Sequence, residues 1–246
     1  MVVVGGDGTI NEFLSGLKNY EDITFACIPT GSGNDFCRGL RLPSDPAACV
    51  DLILKASRYR RINIGTVTSG HETGCFAVSS GMGFDAAVCY HSLRSHLKNV
   101  LNRLHLGKLV YLFTAIKLLI MQKPYHARVL IDDKELLIFD RILFAAAMNT
   151  PYEGGGFKFA PDADPSDDCI DLLIAEGIPK PIVFLFMPTA FFGKHLGLSG
   201  VHLYRCKKAV IYSESEECVH TDGEHFGFRQ KITFSLKKEK LRVIAP

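Results

Sequence analysis

The sequence predicts a two-domain fold, with an α/β domain over residues 1–59 and a β-rich domain over residues 60–246. Two observations predict the first domain: buried strands alternate with helical segments, and two strands run into turns of small residues. The second domain is predicted by the predominance of strands after Arg60, several of them joined by hairpin-like turns. The C-terminal end of the chain is compatible with a return to the first domain.

Composition limits the class of protein. Of the 246 residues 47% are hydrophobic, which is enough to bury a substantial core and is not the composition of a disordered chain. A net charge of +2 gives no reason to expect a nucleic-acid partner. The apolar stretches Leu109–Met121 and Ile182–Phe192 contain Lys117 and Pro188 and are shorter than the roughly 20 residues of a membrane-spanning helix. We therefore expect a cytoplasmic protein, soluble or peripherally associated with the membrane, whose eight cysteines are free thiols.

The first element is a β-branched strand, Val2–Val4, which leads into the turn Gly5–Thr9. A helix is then predicted by apolar residues at helical spacing, namely Ile10, Phe13, Leu14 and Leu17. Glycines without a Cβ let backbone N–H groups approach an anion, and the start of a helix favours phosphate. The alternative is an ordinary strand-to-helix turn in which Asp7 caps the helix that follows.

A second strand, Ile23–Ile28, leads into a second turn of small residues, Pro29–Phe36. Both turns would lie at the same edge of a doubly wound sheet, where ligands bind outside the carboxyl ends of the strands. A helix is predicted over Pro46–Tyr59. Its predicted inward-facing positions are Ala47, Val50, Ile53 and Leu54.

The predicted second domain consists mainly of strands. They are placed at Arg61–Val67, Cys75–Ser80, Ala127–Ile131, Glu135–Ala147, Ile170–Ala175, Ala209–Tyr212 and Lys231–Leu236. One long helical region, Ser92–Met121, interrupts them, with a break expected at Gly107. This arrangement favours a mostly antiparallel sheet.

Five motifs in order resemble the diacylglycerol kinase catalytic family, especially its bacterial soluble lipid kinases. They are the turns Gly5–Thr9 and Pro29–Arg38, the segment Gly81–Ala86, the loop Gly154–Asp168 and the turn Asp222–Glu224. The resemblance implies an NAD kinase/diacylglycerol kinase-like nucleotide-binding α/β domain and a β-sandwich-like second domain, with the active site between them. In that family a further strand and an Asn-Pro-containing loop precede the first turn, so an N-terminal part is expected to be missing here.

The resemblance also implies an ATP- and Mg²⁺-dependent lipid kinase and assigns roles to individual residues. The residues expected on or beside the ATP phosphates are Gly5, Gly6, Asp7, Gly8, Thr9, Asn11, Glu12, Thr30, Asn34 and Asp35. Among them, Asp7 and Asp35 would organise Mg²⁺ and its waters. A structural Mg²⁺ is expected at Asp164, Asp167 and the backbone carbonyl of Cys169, since magnesium prefers oxygen ligands. The alternative is that Asp167 and Asp168 are turn residues and nothing else.

Phosphoryl transfer to an alcohol requires a group that accepts the hydroxyl proton, and the resemblance offers Asp222 or Glu224 for that role. The sequence does not choose between them. From the residues alone, Asp222-Gly223 is a good type I′ hairpin turn. The neighbouring His220 and His225 have no partner at metal-ligand spacing and are expected to be solvent-exposed or modestly structural.

The expected partner is a lipid alcohol at a membrane surface. Phe184–Phe192 would form an apolar wall with Lys194 and His195 at its rim, and the basic stretches Leu93–Lys98 and Asn102–Lys108 could meet anionic headgroups. Packing of these segments into the core is the alternative. The sequence leaves open diacylglycerol, a sphingoid base, an undecaprenol-type alcohol or phosphatidylglycerol as substrate, and a homodimer as assembly.

Two departures from the family pattern keep other functions open. Asn63 stands where the family usually has Asp, and Asp168 stands where it usually has Gly. One alternative is a nucleotide kinase of the NAD kinase type, which shares the Gly-Gly-Asp-Gly-Thr turn. The other is a truncated, non-catalytic binding module.

Overall fold

The computed structural model describes residues 1–94 and 107–246. Its first sheet has four strands in the order β1-β2-β13-β3. These strands are β1 (Val2–Gly5), β2 (Thr24–Pro29), β3 (Tyr59–Ile62) and β13 (Leu241–Ile244). β1 and β13 pair parallel with β2, whereas β3 pairs antiparallel with β13. The last strand of the chain therefore lies inside the first sheet, which also extends beyond residue 59.

Three helices accompany this sheet: α1 (Asp7–Gly16), α2 (Asp35–Gly39) and α3 (Pro46–Lys55). α1 follows β1 directly and buries Ile10 and Leu14, as the apolar spacing predicts. The core that α1 and α2 share with the sheet includes Leu14, Phe25, Phe36, Ile62 and Val243. This core packs α1 and α2 against the first sheet.

The predicted inward face of α3 is wrong at Ala47, Val50 and Leu54, which are exposed, whereas Ile53 is half-buried. Val50 is 41% and Leu54 78% exposed, whereas Cys49 is buried and Leu52 is half-buried. Apolar residues lie on nearly every side of this helix, so two different faces have apolar residues at helical spacing. The contact with β2 buries the face that contains Cys49. The helix also ends at Lys55, before the predicted Tyr59.

The second sheet has nine strands, all paired antiparallel. They are β4 (Gly65–Ser69), β5 (Glu72–Phe76), β6 (Ser79–Gly83), β7 (Tyr125–Ile131), β8 (Glu135–Met148), β9 (Ile170–Glu176), β10 (Val201–Cys206), β11 (Lys208–Thr221) and β12 (Glu224–Leu236). The order is β10-β9-β8-β6-β11-β12-β4-β5, and β7 pairs with both β8 and β11.

Two long strands fold this sheet over itself. β11 pairs with β7 along its first half and with β6 at its end, and β8 changes from β7 to β6 and β9. Strands that change partners in this way form the corners of a sandwich and enclose the side chains between its faces. The enclosed core includes Phe76, Met82, Ile142, Ile211 and Phe234.

Two predicted strands are each divided in the structure. Residues 61–67 contribute to β3 and β4, which belong to different sheets, because the Asn63 N–H donates to the Pro165 carbonyl between them. Residues 75–80 contribute to β5 and β6, because the N–H groups of Ala77 and Val78 donate to the Asp222 carboxylate rather than to a strand. Both divisions are produced by residues distant in sequence.

The helical region of the second domain begins earlier than predicted. α4 spans Phe84–Leu93 and α5 spans Gly107–Met121. The break expected at Gly107 stays a prediction, because the residues before it lie outside the described ranges. The basic stretches predicted at 93–98 and 102–108 fall largely outside the described residues. α6 (Lys180–Phe186) is followed by 3₁₀ turns over Met187–Phe192 and Lys194–Gly197. In the described ranges, every helix is too short or too polar to cross a membrane.

Candidate active site

The two turns of small residues pack directly against each other. A Cβ at Gly31 would lie 2.5 Å from the Gly6 Cα, and a Cβ at Gly6 would lie 2.9 Å from the Gly31 Cα. Only glycine permits this approach of two backbones. The predicted juxtaposition of the two turns is confirmed.

Asp7 joins the two turns through hydrogen bonds. Its carboxylate accepts the N–H groups of Asp35 and Phe36, each at 3.0 Å, and so caps the start of α2. The interpretation in which Asp7 caps its own helix is therefore wrong. α1 starts after Gly6 without a side-chain cap in the described part of the chain, which leaves the N–H groups of its first turn for an anion.

Asn34 fixes the shape of the second turn. It adopts a left-handed conformation with φ of 55°, its Nδ2 donates to the Gly31 carbonyl at 2.8 Å, and its Oδ1 accepts the Gly31 N–H at 3.0 Å. The Thr30 N–H donates to the Gly5 carbonyl at 3.0 Å. Around these turns the side chains of Thr9, Glu12 and Thr30 are exposed.

Asp35 connects the second turn to the loop that contains Gly154–Gly156. Its side chain is buried, one oxygen accepts the Gly155 N–H at 2.6 Å, and the other pairs with Arg38. Burial raises the pKa of Asp35 to about 6, against the lowering effect of the Gly155 N–H. The motifs of the first domain and the Gly154–Gly156 loop thus meet at one carboxyl group.

Asp222 lies at the hairpin turn between β11 and β12, where Thr221 pairs with Glu224. Asp222 and Gly223 have φ of 49° and 87°, so the predicted hairpin turn is confirmed. The Asp222 carboxylate accepts four hydrogen bonds of 2.8–3.0 Å. The donors are the N–H groups of Ala77, Val78 and Ser79 and the side-chain amide of Asn11. Burial raises the pKa of Asp222 to about 6, although each of these donors lowers it.

Glu224 is two residues further on and has a different environment. Its side chain is exposed and, in the described part of the chain, has no ion-pair or hydrogen-bond partner. Its Oε1 lies 3.2 Å from the position of a Cβ built on Gly8, so it faces the glycine-rich turn. The turn therefore presents one fully hydrogen-bonded carboxylate and one free carboxylate to α1.

His220 is buried, and the expectation that it is solvent-exposed or only modestly structural is wrong. Its side chain is 1% exposed, and its Nε2 lies 3.2 Å from the Asp85 Oδ2 and 3.4 Å from the Glu153 Oε1. Its Nδ1 accepts the Gly223 N–H at 3.0 Å. No role is predicted for Asp85 or Glu153 from the sequence; the signal that could have found them is the position of each beside a glycine motif.

The predicted structural metal residues already have protein partners. Arg60 Nη2 lies 2.9 Å from Asp164 Oδ1, and Arg205 Nη2 lies 2.5 Å from Asp167 Oδ2. The Cys169 N–H donates to Asp167 Oδ1 at 2.9 Å. A cation at this loop would have to compete with two arginines, so Mg²⁺ binding here stays a prediction.

Asn63 and Asp168, the two departures from the family pattern, contact each other. The Asn63 Nδ2 donates to Asp168 Oδ1 at 2.9 Å, and the Asp168 N–H donates to Asn63 Oδ1 at 3.1 Å. Lys240 Nζ lies 2.8 Å from the same Asp168 oxygen. The loop keeps its shape because Asp168 adopts φ of 63°, which Asp tolerates better than most residues.

The Phe184–Phe192 segment is largely exposed, with Leu185 at 69% and Phe192 at 74%. Phe191 stacks on Phe157 with ring centroids 4.0 Å apart, which links the segment to the Gly154–Gly156 loop. His195 is not at a rim as expected: it is buried and hydrogen-bonded to the Phe159 carbonyl at 3.1 Å, and burial lowers its pKa. Its ring also lies edge-on against Phe159, and these two contacts with Phe159 hold the side chain inside the fold.

Two family models match the chain. Residues 1–67 match the diacylglycerol kinase catalytic domain, and residues 78–245 match the YegS C-terminal NAD kinase beta sandwich-like domain. The chain is 31% identical to the putative lipid kinase YtlR of Bacillus subtilis, over 92% of this chain and 74% of that protein. It is 29% identical to a diacylglycerol kinase of Mycobacterium tuberculosis, over 100% of this chain and 76% of that protein.

Solved structures share the fold. A putative diacylglycerol kinase from Bacillus anthracis superposes with a TM-score of 0.74 at 20% identity, covering 100% of this chain and 78% of that one. An NAD kinase from Archaeoglobus fulgidus in complex with ATP superposes with a TM-score of 0.54 at 14% identity, covering 99% and 76%. The predicted α/β domain with a β-sandwich-like partner is confirmed.

Proposed function

The chain belongs to the diacylglycerol kinase family, with a YegS-type C-terminal domain, and we propose that it is an ATP- and Mg²⁺-dependent lipid kinase that transfers the γ-phosphate to a lipid hydroxyl. The single observation that carries the proposal is the position of Glu224, whose exposed carboxylate faces the Gly8 turn. Such a group beside a phosphate-binding turn suits removal of a proton from an alcohol.

The ATP phosphates would bind at the first two turns. Backbone contact between Gly6 and Gly31 leaves no Cβ in the way, and the first turn of α1 has N–H groups without a side-chain cap in the described residues. These groups carry the positive end of the helix dipole, which favours phosphate. The exposed Thr9 and Thr30 hydroxyls lie around the same place.

Asp7 and Asp35 are suited to holding Mg²⁺ with the nucleotide. Each oxygen of the Asp7 carboxylate accepts one backbone N–H, which leaves it a second lone pair for a metal-bound water. Asp35 is buried beside it, and Mg²⁺ there would take the place of its ion pair with Arg38. Mg²⁺, when bound, would neutralise charge on the phosphates, and the two carboxylates would determine where it binds.

Glu224, rather than Asp222, is the proposed general base. The Asp222 oxygens accept four hydrogen bonds, so this carboxylate shapes the turn and has no free direction toward a substrate. Glu224 takes the proton of the lipid hydroxyl while the hydroxyl oxygen forms a bond to the γ-phosphorus. The bond to the β–γ bridging oxygen breaks, and ADP leaves.

A lipid acceptor is supported by the exposed aromatic segment. Phe184 and Phe192 are 54% and 74% exposed, and Phe191 stacks on Phe157 beside the Gly154–Gly156 loop. Apolar side chains exposed next to a polar transfer site fit an acceptor whose hydroxyl is polar and whose tail is apolar. The proposed place of action is a membrane surface, to which the protein would bind peripherally.

The test is transfer of label from γ-labelled ATP with Mg²⁺ to lipid alcohols in mixed micelles. Diacylglycerol, a sphingoid base, undecaprenol and phosphatidylglycerol form the lipid panel, with NAD as a parallel acceptor. Label in a lipid supports the proposal and identifies the substrate. Label only in NAD selects the NAD kinase-type function, which the fold alone also allows. A folded protein that binds no ATP would indicate a binding module.

A further inference from the structure

The hydrogen bond from Gly223 to His220 determines where the imidazole carries its proton. The backbone N–H of Gly223 points at the ring Nδ1, with 3.0 Å between the nitrogens. An N–H group only donates, so the Nδ1 must offer its lone pair and cannot carry a proton. In the neutral ring the proton is then on Nε2, which faces Asp85 at 3.2 Å and Glu153 at 3.4 Å.

The direction of the Gly223-to-His220 hydrogen bond argues against a metal ion between Asp85, Glu153 and His220. Ligand atoms of Asp85, Glu153 and His220 lie within 4.8 Å of one another, a spacing that a metal could accept. A histidine that binds metal through Nε2 carries its proton on Nδ1 and donates it to an acceptor. Here the Nδ1 faces a donor instead, so the proton is on Nε2, and that atom has no lone pair to offer a metal ion.

Two buried carboxyl groups, Asp85 and Glu153, face the Nε2 proton. Both side chains are about nine-tenths buried, and in the described part of the chain Asp85 Oδ1 and Glu153 Oε2 have no hydrogen-bond partner. Burial raises the pKa of Asp85, which favours its neutral form.

The charges alone would place the proton on the histidine. Burial lowers the pKa of His220, but hydrogen bonds and charges from Asp85 and Glu153 raise it more, to about 10. An imidazolium would need an acceptor at Nδ1, and the Gly223 N–H occupies that side. The imidazole is therefore neutral, with its one proton on Nε2, and the burial of Asp85 favours a proton on that carboxyl group.

Gly81 makes the cluster possible. A Cβ at Gly81 would lie 1.8 Å from Asp85 Oδ2 and 2.7 Å from His220 Nε2. Since β6 passes directly over this pair, any larger residue would separate them. The Ser80 hydroxyl also donates to the His220 carbonyl at 2.5 Å and fixes the backbone at the same point.

We propose that His220 is a positioning residue for Glu224: it holds the Asp222–Glu224 turn by accepting the Gly223 N–H, and the Asp85 and Glu153 oxygens that face Nε2 keep the imidazole proton there. The role in catalysis rests on the kinase function proposed above. The hydrogen-bond arrangement itself does not depend on it.

Two measurements on the protein test the arrangement without any assay of activity. Ring ¹⁵N shifts of His220 in the wild-type protein at neutral pH should show the neutral Nε2–H tautomer. Hydrogen exchange at the Gly223 amide should be slow in the wild type and in His220→Asn, whose amide oxygen can take the place of Nδ1. Exchange should be faster in His220→Gln, whose amide reaches toward the carboxyl pair instead.

The same variants test the positioning role. His220→Gln should lose about a hundredfold in kcat, the cost of a small misplacement of a catalytic group. Its KM for ATP should stay near that of the wild type, because the nucleotide turns are untouched. His220→Asn should retain most of the wild-type kcat. A purely structural role would lower the thermal stability of both variants without separating kcat from KM.

An Nδ1–H tautomer or an imidazolium at neutral pH would overturn the inference, and so would equal kcat losses in two folded variants. If both variants fail to fold, the wild-type tautomer still decides the arrangement. A wild-type protein that phosphorylates no lipid defeats the proposed function instead. In that case the tautomer and the Gly223 exchange rates show whether His220 holds the turn.

Discussion

The Asn11 side-chain amide donates a 2.9 Å hydrogen bond to Asp222, a residue 211 positions further along the chain. The same amide donates to the Cys75 carbonyl at 2.9 Å. Asn11 lies on α1 behind the glycine-rich turn, and Asp222 lies on the β11–β12 turn, so this contact fixes the turn that carries Glu224, the proposed base, relative to the phosphate site. The amide joins the two sheets at the place where the proposed chemistry requires alignment.

Replacement of Asn11 by Ala should destabilise the protein by about 1–3 kcal/mol, because a buried carbonyl and a carboxylate each lose a donor. Urea unfolding measures this change. Asn19→Ala is the control, since Asn19 is exposed and bonded only to near neighbours. A double-mutant cycle with Asp222→Asn should give a coupling energy of about 0.5–3 kcal/mol. A coupling energy near zero would contradict the link between the sheets.

Gly81→Ala should separate the Asp85–His220 pair. The new Cβ would overlap the Asp85 carboxylate, so one side chain must move and the cost should be about 1–3 kcal/mol of folding free energy. Gly16→Ala is a matched control, because Gly16 ends α1 and a Cβ there meets nothing within 4 Å. The control should have wild-type or slightly higher thermal stability. Equal midpoints for both variants would show that the pair does not need the space at Gly81.

The parts of the fold that the sequence predicts are those determined locally. The strand before Gly5, the helix with Ile10 and Leu14 inward and the two small-residue turns each follow from neighbouring residues. The division between β5 and β6 does not, because it is produced by Asp222, which lies 145 residues beyond Ala77. The burial of His220 likewise depends on Asp85 and Glu153, which come from α4 and a distant loop.

The roles of the candidate-site residues also depend on contacts that are distant in sequence. Motifs indicated that Asp222 and Glu224 matter, but the sequence could not separate their roles because it does not record hydrogen-bond partners. Four donors on one carboxylate and none described on the other make that distinction. In α3, apolar residues on several sides left the buried face undetermined until packing selected Cys49.

Asp171 should make stability depend on pH. It is buried in β9, and burial raises its pKa from 3.8 to about 6, with a further contribution from Asp167. Between these two pH values the folded protein binds more protons than the unfolded chain, so the wild type loses stability as pH rises through this window. Asp171→Asn has no carboxyl group to titrate, so it does not lose this stability. Across this pH window its free energy of unfolding should rise by about 1–3 kcal/mol relative to that of the wild type.

Urea unfolding of both proteins at several pH values checks this sign. Asp51→Asn, at an exposed position on α3, is the control and should show the same pH dependence as the wild type. A difference between Asp171→Asn and wild type that is constant from pH 3.8 to 6 would contradict the raised pKa.

Asn63→Asp should destabilise the loop at Asp168. The substitution replaces a donor with a carboxylate oxygen that faces another carboxylate 2.9 Å away, at a cost of about 1–3 kcal/mol. Mg²⁺ should restore part of the thermal stability of this variant, because paired carboxylates are suitable ligands for it. Thermal unfolding with Mg²⁺ and with EDTA measures both effects. An Asn63→Asp protein as stable as wild type in EDTA would show that the amide pairing is dispensable.

Glu224→Gln should lower turnover, whereas Asp222→Asn should lower stability. Glu224→Gln removes the free carboxylate and should lower kcat by about 10²–10⁴-fold, while ATP affinity and thermal stability stay at wild-type values. Asp222→Asn places an amide nitrogen among N–H donors and should lower the free energy of unfolding by about 1–3 kcal/mol. Glu216→Gln, an exposed change on β11, should alter neither. If Asp222→Asn is fully stable and inactive while Glu224→Gln retains turnover, the base is Asp222 and the proposed roles are reversed.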